Sequence, residues 1–222
     1  MSIQVVYNGF DENAIKKTVK QKSKDVVGES FVIDWSLPGY KDFKESFEAL
    51  TDEFVNIFGN CFVKQINHHS TILSKRLDPI DISNDFIVPV WMDNDFSVCR
   101  RFFSENFCKL ILESECCVIA KAGTVQLVFR DENVLPKARN LLNSLGASVK
   151  PGTIDGDFIN TCTVVLGYLQ SIPHNQVQKE QLESATSKWN ESYHIDKVKV
   201  HTISLVRYFD LSLNNYLEIE KF

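Results

Sequence analysis

The sequence predicts a mixed fold in which strands and helices alternate around one large core. Strand-like and helix-like patterns follow one another along all 222 residues, and no linker rich in Pro, Gly or Ser divides them. Apolar residues make up 44% and charged residues 24%, with 16 Phe and 3 Trp, so an intrinsically disordered chain is excluded. No apolar run approaches the roughly 18 residues of a membrane-spanning helix. A chain of this length predicts one domain, 1–222, or two tightly fused lobes within it.

The strands are predicted in chain order from β-rich runs and from turn residues between them. Ala122-Gly123 marks one such turn, between two short apolar runs. On this basis we predict strands at Ile3–Tyr7, Phe31–Trp35, 61–73, 116–120, 125–129, 158–169 and 198–208.

The helices are predicted from apolar residues that recur every three or four positions. The clearest helix is 41–58, whose apolar residues lie on one face and which Gly59 ends with a left-handed residue. These apolar residues are Phe43, Phe47, Leu50, Phe54 and Ile57. Further helices are predicted at 97–112, at 136–145, where Pro136 lies in the first turn, and at 176–190.

Charge and cysteine content restrict the class of protein. The net charge of −5 argues against a surface that coats nucleic acid, although a small basic cleft is compatible with it. The six cysteines include no C-x-x-C pair, so a zinc knuckle is not expected. Because the first residues do not form a signal peptide, we expect a cytoplasmic protein with six reduced thiols. The cysteines are Cys61, Cys99, Cys108, Cys116, Cys117 and Cys162.

One pair of histidines stands next to two hydroxyl residues. His68 and His69 precede Ser70 and Thr71, and residues i and i+2 of a strand share a face. Two registers are therefore open, His69 with Thr71 or His68 with Ser70. An imidazole can move a proton near neutral pH, and a hydroxyl can donate to a phosphate oxygen. The alternative interpretation is a pair of structural histidines near a strand end.

A similar element occurs in the second half of the chain. In the strand predicted at 158–169, Thr161 and Thr163 share one face, and Cys162 and Val164 lie on the other. Each half therefore contains a helix followed by a strand that carries a polar-x-Thr-apolar sequence.

These residues resemble the motifs of the 2H phosphoesterase superfamily, which includes RNA-ligase-like and cyclic phosphodiesterase proteins. The family carries one His-x-Thr/Ser-apolar motif in each lobe. His69-Ser70-Thr71-Ile72 matches the first motif, and Thr161-Cys162-Thr163-Val164 matches the second in part. The strand predicted at 198–208 resembles the family's closing strand. The resemblance covers about 30–210.

The resemblance implies an α+β fold of two pseudo-symmetric antiparallel β-sheet lobes with outer helices and a central cleft. It also implies that one histidine is the general base, the other the general acid, and that the hydroxyls hold the phosphate without a metal or cofactor. The ligand would be a nucleotide or RNA phosphate: an RNA end, a 2′,5′-linked oligonucleotide or a cyclic nucleotide. Of the two registers we favour His69 with Thr71, because apolar Ile72 follows Thr71.

The second motif departs from the family because Thr161 replaces the histidine. A threonine hydroxyl cannot exchange a proton usefully at pH 7, and losing a general acid or base costs about 10²–10⁴-fold in rate. His201 is the candidate substitute. It alternates with Ile203, Leu205 and Arg207 along the closing strand, and its alternative interpretation is a histidine at a strand edge.

Three hypotheses follow. The first is a 2H-like phosphodiesterase, weak or inactive because of Thr161. The second is a non-catalytic module on the same fold that binds a nucleotide or a protein. The third is an unrelated α+β interaction protein. The sequence lacks a phosphate-binding P-loop, a dinucleotide fingerprint, a nucleophile elbow and an H-E-x-x-H zinc motif.

Overall fold

The computed structural model describes nine stretches of the chain, in which ten strands and five helices confirm the α+β class. The stretches are 3–22, 25–76, 94–106, 109–144, 159–173, 177, 179–193, 197–210 and 213–222. The strands are β1 (Gln4–Tyr7), β2 (Asp25–Asp34), β3 (Phe62–Lys64), β4 (His69–Arg76), β5 (Ile111–Ile119), β6 (Thr124–Arg130), β7 (Thr161–Leu169), β8 (Lys197–Lys199), β9 (Ser204–Asp210) and β10 (Tyr216–Lys221). The helices are α1 (Glu12–Lys22), α2 (Lys41–Phe58), α3 (Asn94–Asn106), α4 (Val134–Ser144) and α5 (Lys179–Tyr193).

The ten strands form one mixed sheet within the described residues. Its order is β1-β5-β6-β7-β4-β2-β9-β10, while β3 also pairs with β7 and β8 with β5. One half of the sheet ends at β7 and the other begins at β4, and the pair Ser70–Val164 joins them. The prediction of purely antiparallel lobes is wrong at β1, which runs parallel to β5.

The strand predicted at 61–73 is broken, because β3 and β4 meet the same partner in different registers. Lys64 pairs with Gly167, and Ser70 pairs with Val164. Five residues separate Lys64 from Ser70, whereas two separate Val164 from Gly167, so three surplus residues must leave the ladder. Residues 65–68 connect the two strands. The Gln65 N–H still donates to the Leu166 carbonyl of β7 at 2.9 Å, so residues 66–68 take up the excess.

The closing strand predicted at 198–208 is broken as well. β8 pairs with β5 in one half of the sheet, and β9 pairs with β2 in the other. Residues 200–203 cross between the halves, where Val200 and Ile203 are fully buried and the Tyr40 hydroxyl accepts a hydrogen bond from the His201 N–H at 2.5 Å. The predicted helix at 97–112 also ends earlier, at Asn106, and its last two residues belong to β5.

The helix predicted at 41–58 is confirmed. Phe47, Leu50 and Phe54 on its apolar face are fully buried against the sheet. Gly59 ends the helix with a φ of +62°, a conformation that side-chain-bearing residues rarely adopt. The Trp189 indole of α5 donates a hydrogen bond to the Ser46 carbonyl at 2.9 Å and fixes the two helices together. None of the described helices is both long and apolar enough to cross a membrane.

Four of the six cysteine side chains are described, and all four are free thiols: Cys61, Cys116, Cys117 and Cys162. Burial raises the pKa of the Cys116 thiol to about 11 and that of Cys162 to about 12, and it also raises the pKa of Cys117. The side chains of Cys99 and Cys108 lie outside the described residues.

We therefore expect Cys116, Cys117 and Cys162 to react slowly with a thiol reagent in the native protein at pH 8, because little thiolate is present. In denaturant without reductant, all six thiols should react. A colorimetric thiol titration under both conditions measures the two numbers. A count of four or fewer in the unfolded protein would contradict the prediction of a fully reduced chain.

Candidate active site

A cavity of about 200 Å³ opens on the face of the sheet opposite the main core. It lies where the two halves of the sheet meet, and strands from both halves contribute side chains. The described residues that line it are Ser30, His69, Thr71, Thr163, Val165, Tyr208 and Leu213. Three of the five predicted site residues, His69, Thr71 and Thr163, are thus in one place.

The register between β4 and β7 sets the arrangement of these three residues. Because the strands are antiparallel and Ser70 pairs with Val164, Thr71 lies beside Thr163 and His69 beside Val165. Paired residues have Cβ atoms about 4.5–5.5 Å apart and point to the same face. The two threonine side chains are therefore neighbours in the lining of the cavity, and His69 lies two residues before Thr71 on β4.

The alternation of β4 explains why His69, and not His68, lies in the cavity. Ser70 and Ile72 point into the core, and the Trp35 indole donates a hydrogen bond to the Ser70 hydroxyl at 2.9 Å. His69 and Thr71 must then point the other way. His68 precedes the strand and packs edge-on against Phe47, with 5% of its surface exposed.

His69 is held as a neutral imidazole at pH 7. Its Nδ1 lies 3.0 Å from the Asn67 carbonyl, which can only accept, so the ring proton is on Nδ1 and Nε2 carries the lone pair. Burial lowers the pKa of His69; Lys22 adds to this effect, whereas the Asn67 hydrogen bond and the carboxylates of Asp34 and Asp210 oppose it. The imidazole is therefore available to accept a proton at neutral pH.

Thr161 lies at the start of β7, outside the described lining of the cavity. Alternation gives its side chain the same face as Thr163, and the β4–β7 register places it diagonally across the Thr71–Thr163 pair from His69. Thr161 is 8% exposed. The buried Arg139 guanidinium donates to the Thr161 carbonyl at 2.5 Å, so the backbone here is firmly held.

The structure corrects the expectation that His201 shares the cleft with His69. His201 is exposed and precedes β9, and its ring lies 5.7 Å from that of Tyr40. Tyr40 belongs to the main core, and His201 is not among the described residues that line the cavity. His201 therefore belongs to the helix-covered side of the sheet and cannot reach a ligand in the cavity.

Several residues near the cavity were not predicted from the sequence. Ser30 and Tyr208 line it from β2 and β9. Lys22, at the end of α1, lies with its ammonium 5.1 Å from the centre of the Tyr168 ring and acts electrostatically on His69. The only sequence signal for Ser30 is a polar residue next to a β-rich run. The predicted strand begins at Phe31, whereas β2 begins six residues earlier, at Asp25. Asp34 pairs with His69 across β2 and β4.

The described residues contain no group of three His, Cys, Asp or Glu side chains close enough together to hold a metal ion. Two of the basic residues near the motifs have carboxylate partners, Lys64 with Asp52 and Arg207 with Glu29. The chemistry that the described cavity offers is therefore one neutral imidazole with hydroxyl donors from threonine, serine and tyrosine.

Because His68 is buried, we predict that the free energy of unfolding falls in mild acid. Desolvation lowers the pKa of His68 from 6.5 to about 4, so below pH 6.5 the unfolded chain binds the proton more readily than the folded one. The stability lost between pH 6.5 and pH 4 amounts to about 3 kcal/mol for this group. In His68→Leu we expect a shallower pH dependence. At pH 7 stability should be equal or higher, because the His68 Nε2 has no hydrogen-bond partner among the described residues.

Denaturant unfolding at pH 7 and pH 5 measures the effect, with His201→Leu as the control that removes an exposed histidine. Part of the pH dependence of stability should remain in His68→Leu, because the pKa of His69 is lowered as well. If the free energy of unfolding differs between pH 7 and pH 5 by as much in His68→Leu as in the wild type, the prediction is contradicted.

No family model and no curated protein matches the sequence. A solved structure of a conserved protein of unknown function from Agrobacterium tumefaciens is similar, with a TM-score of 0.51 at 9% identity over 96% of this chain and 90% of that one. Usb1 from Kluyveromyces marxianus matches with a TM-score of 0.43 at 10% identity over 88% of this chain and 98% of that one. The first similarity shows a shared fold over nearly the whole chain, and no activity follows from either.

Proposed function

We propose that the protein binds the phosphate of a nucleotide or an RNA end between Thr71, Thr163 and His69, and that it is a metal-independent phosphodiesterase of the 2H type with slow turnover. The observation that supports this proposal is the meeting of two short motifs that are far apart in the sequence. Thr71 and Thr163 lie side by side on antiparallel strands, and His69 shares their cavity. The ligands we expect are RNA ends, 2′,5′-linked oligonucleotides and cyclic nucleotides.

The cavity residues can assist the first step of phosphodiester hydrolysis, the attack of water on phosphorus. The Thr71 and Thr163 hydroxyls can donate to non-bridging phosphate oxygens, which carry the charge that grows in the transition state. His69 Nε2 can accept the proton of the attacking water while the oxygen of that water bonds to phosphorus. Because the pKa of His69 is lowered, the imidazole is already deprotonated at neutral pH and ready for this role.

The cavity residues do not provide a general acid for the leaving oxygen. As the old phosphorus–oxygen bond breaks, the leaving oxygen needs a proton, and the diagonal position that faces His69 across the threonines holds Thr161. A threonine hydroxyl is far too weak an acid to supply the proton. His201 cannot supply it either, because it lies on the other side of the sheet. We therefore expect the protein to bind the nucleotide and to hydrolyse it slowly. If it binds without any hydrolysis, it is the non-catalytic nucleotide-binding module of the second hypothesis.

Calorimetric titration of the protein with adenosine 2′,3′-cyclic phosphate, in the presence of a chelator, tests the binding. We expect saturable binding that weakens in Thr71→Val and in Thr163→Val by about 10-fold or more each, because a hydrogen bond to a charged group contributes about 1.5–3 kcal/mol. Valine keeps the shape of threonine and removes only the hydroxyl.

Thr124→Val is the matched control, since Thr124 is a partly exposed threonine of the same sheet outside the described lining of the cavity. Adenosine without a phosphate should bind far more weakly than the cyclic nucleotide. Absence of binding, or binding that the Thr71 and Thr163 variants leave unchanged, would reject the proposed site and favour an unrelated interaction protein.

A further inference from the structure

The connection between β3 and β4 is tied to the turn between β9 and β10. The Asn67 side-chain amide donates to the Leu213 carbonyl at 3.1 Å, and the Gln65 amide lies 3.5 Å from the Asn214 side-chain oxygen. These two segments are 146 residues apart in the sequence. They meet at the end of the cavity where Leu213 forms part of the lining.

The turn is held in an unusual conformation. Leu213 has a φ of +49°, a conformation that a residue with a side chain adopts only where surrounding contacts impose it. The Leu213 side chain is buried with Val206 and Tyr208, and the Asp210 carboxylate accepts two backbone N–H groups of the turn. Residues 213–215 are therefore held by contacts with β9, and another segment can be fixed against them.

Asn67 also contacts the proposed base. Its backbone carbonyl accepts the Nδ1–H of His69 at 3.0 Å and a second hydrogen bond from the Gln65 amide at 3.3 Å. The side chain of Asn67 thus holds the turn while its carbonyl holds the imidazole. If the carbonyl moved away, Nδ1 would lose its acceptor, and a neutral histidine in water carries its proton mostly on Nε2.

We propose that Asn67 is a positioning residue: its side chain, anchored on the Leu213 carbonyl, fixes the backbone carbonyl that keeps the ring proton of His69 on Nδ1. With the proton there, Nε2 remains free to accept a proton; only this use of Nε2 as a base rests on the proposed function. The tautomer itself is a property of the ligand-free protein. Loss of the Asn67 side chain should therefore change the tautomer of the His69 ring, although it removes no atom that contacts the ring.

Two-bond proton–nitrogen correlation spectra of the ¹⁵N-labelled, ligand-free protein at pH 8 test this directly. His69→Gln identifies the His69 signals. In the wild type we expect one protonated nitrogen at Nδ1 and one unprotonated nitrogen at Nε2. In Asn67→Ala we expect the two nitrogen shifts to move toward each other, as exchange with the Nε2–H tautomer averages them.

Asn133→Ala is the matched control, because Asn133 is an exposed asparagine whose side chain bonds Lys137. Its His69 spectrum should equal that of the wild type. Asn67→Asp is a second variant of nearly the same size that cannot donate to the Leu213 carbonyl, and it replaces Asn67→Ala if that variant does not fold. A wild-type proton on Nε2, or a His69 spectrum unchanged in a folded Asn67 variant, would overturn the proposal. Failure of nucleotide binding would reject the proposed function but leave this measurement valid.

Discussion

Replacing Thr161 by histidine should raise the hydrolysis of a 2′,3′-cyclic or 2′,5′-linked substrate by about 10²-fold or more, the lower end of the range for general acid–base catalysis. The register between β4 and β7 places position 161 diagonally across the two threonines from His69, on the same face of the sheet. An imidazolium there could protonate the leaving oxygen while His69 takes the proton of the attacking water. Two arginines lie near this position. Arg130 pairs with Thr161 across β6 and β7 and is bound by Glu115 and Glu132, and Arg139 donates to the Thr161 carbonyl.

Two variants separate proton transfer from a change of shape. Thr161→Asn adds a polar side chain that cannot exchange a proton at neutral pH, so we expect no gain in rate. His69→Ala in the Thr161→His background should abolish the gain, because the base is then missing. Initial rates measured by chromatography of the products, with a chelator present, give the comparison.

Two outcomes would contradict this interpretation. If Thr161→His folds, binds the nucleotide and still does not hydrolyse it, position 161 does not correspond to the second catalytic position. If the wild type is already fully active and His69→Ala leaves it so, the resemblance to the 2H phosphoesterases has no catalytic meaning for this chain.

Replacing Arg207 by alanine should lower the free energy of unfolding by about 3–5 kcal/mol, the typical cost of removing one partner of a buried ion pair. Arg207 Nε and Nη2 donate to Glu29 Oε1 at 3.1 and 2.5 Å, and the Glu29 side chain is fully buried. The two residues pair directly across β2 and β9. Without the guanidinium, the buried carboxylate would lose the cation that its Oε1 contacts.

Denaturant unfolding of three variants checks this result. In the double variant Glu29→Gln with Arg207→Met, most of the loss should be recovered, because no isolated charge remains. Arg101→Ala removes the exposed Arg101–Glu105 pair and should cost at most about 1 kcal/mol. A loss in Arg207→Ala no larger than that of Arg101→Ala would contradict the assignment of a buried ion pair.

The elements that the sequence predicted well are those whose side chains repeat with a local period. Helix 41–58 follows from apolar residues spaced by three and four, and the turn at Gly123 follows from its glycine, whose φ is +80°. Helix α1 was missed because Ile15 is its one fully buried residue, so its apolar pattern is weak. β10 was missed because all six of its residues are partly or fully exposed.

The sequence by itself determined which residues of each motif share a face, because alternation along a strand is a property of the local backbone. It could not determine that residues 61–73 and 198–208 each divide into two strands, since the breaks arise from registers with β7, β5 and β2 that remote residues impose. For the same reason only the tertiary structure decided that Thr71 and Thr163 lie side by side. It also decided that His201 stands on the opposite side of the sheet. A strand's alternation is encoded within a few residues, whereas its partner and register depend on the packing of the whole chain.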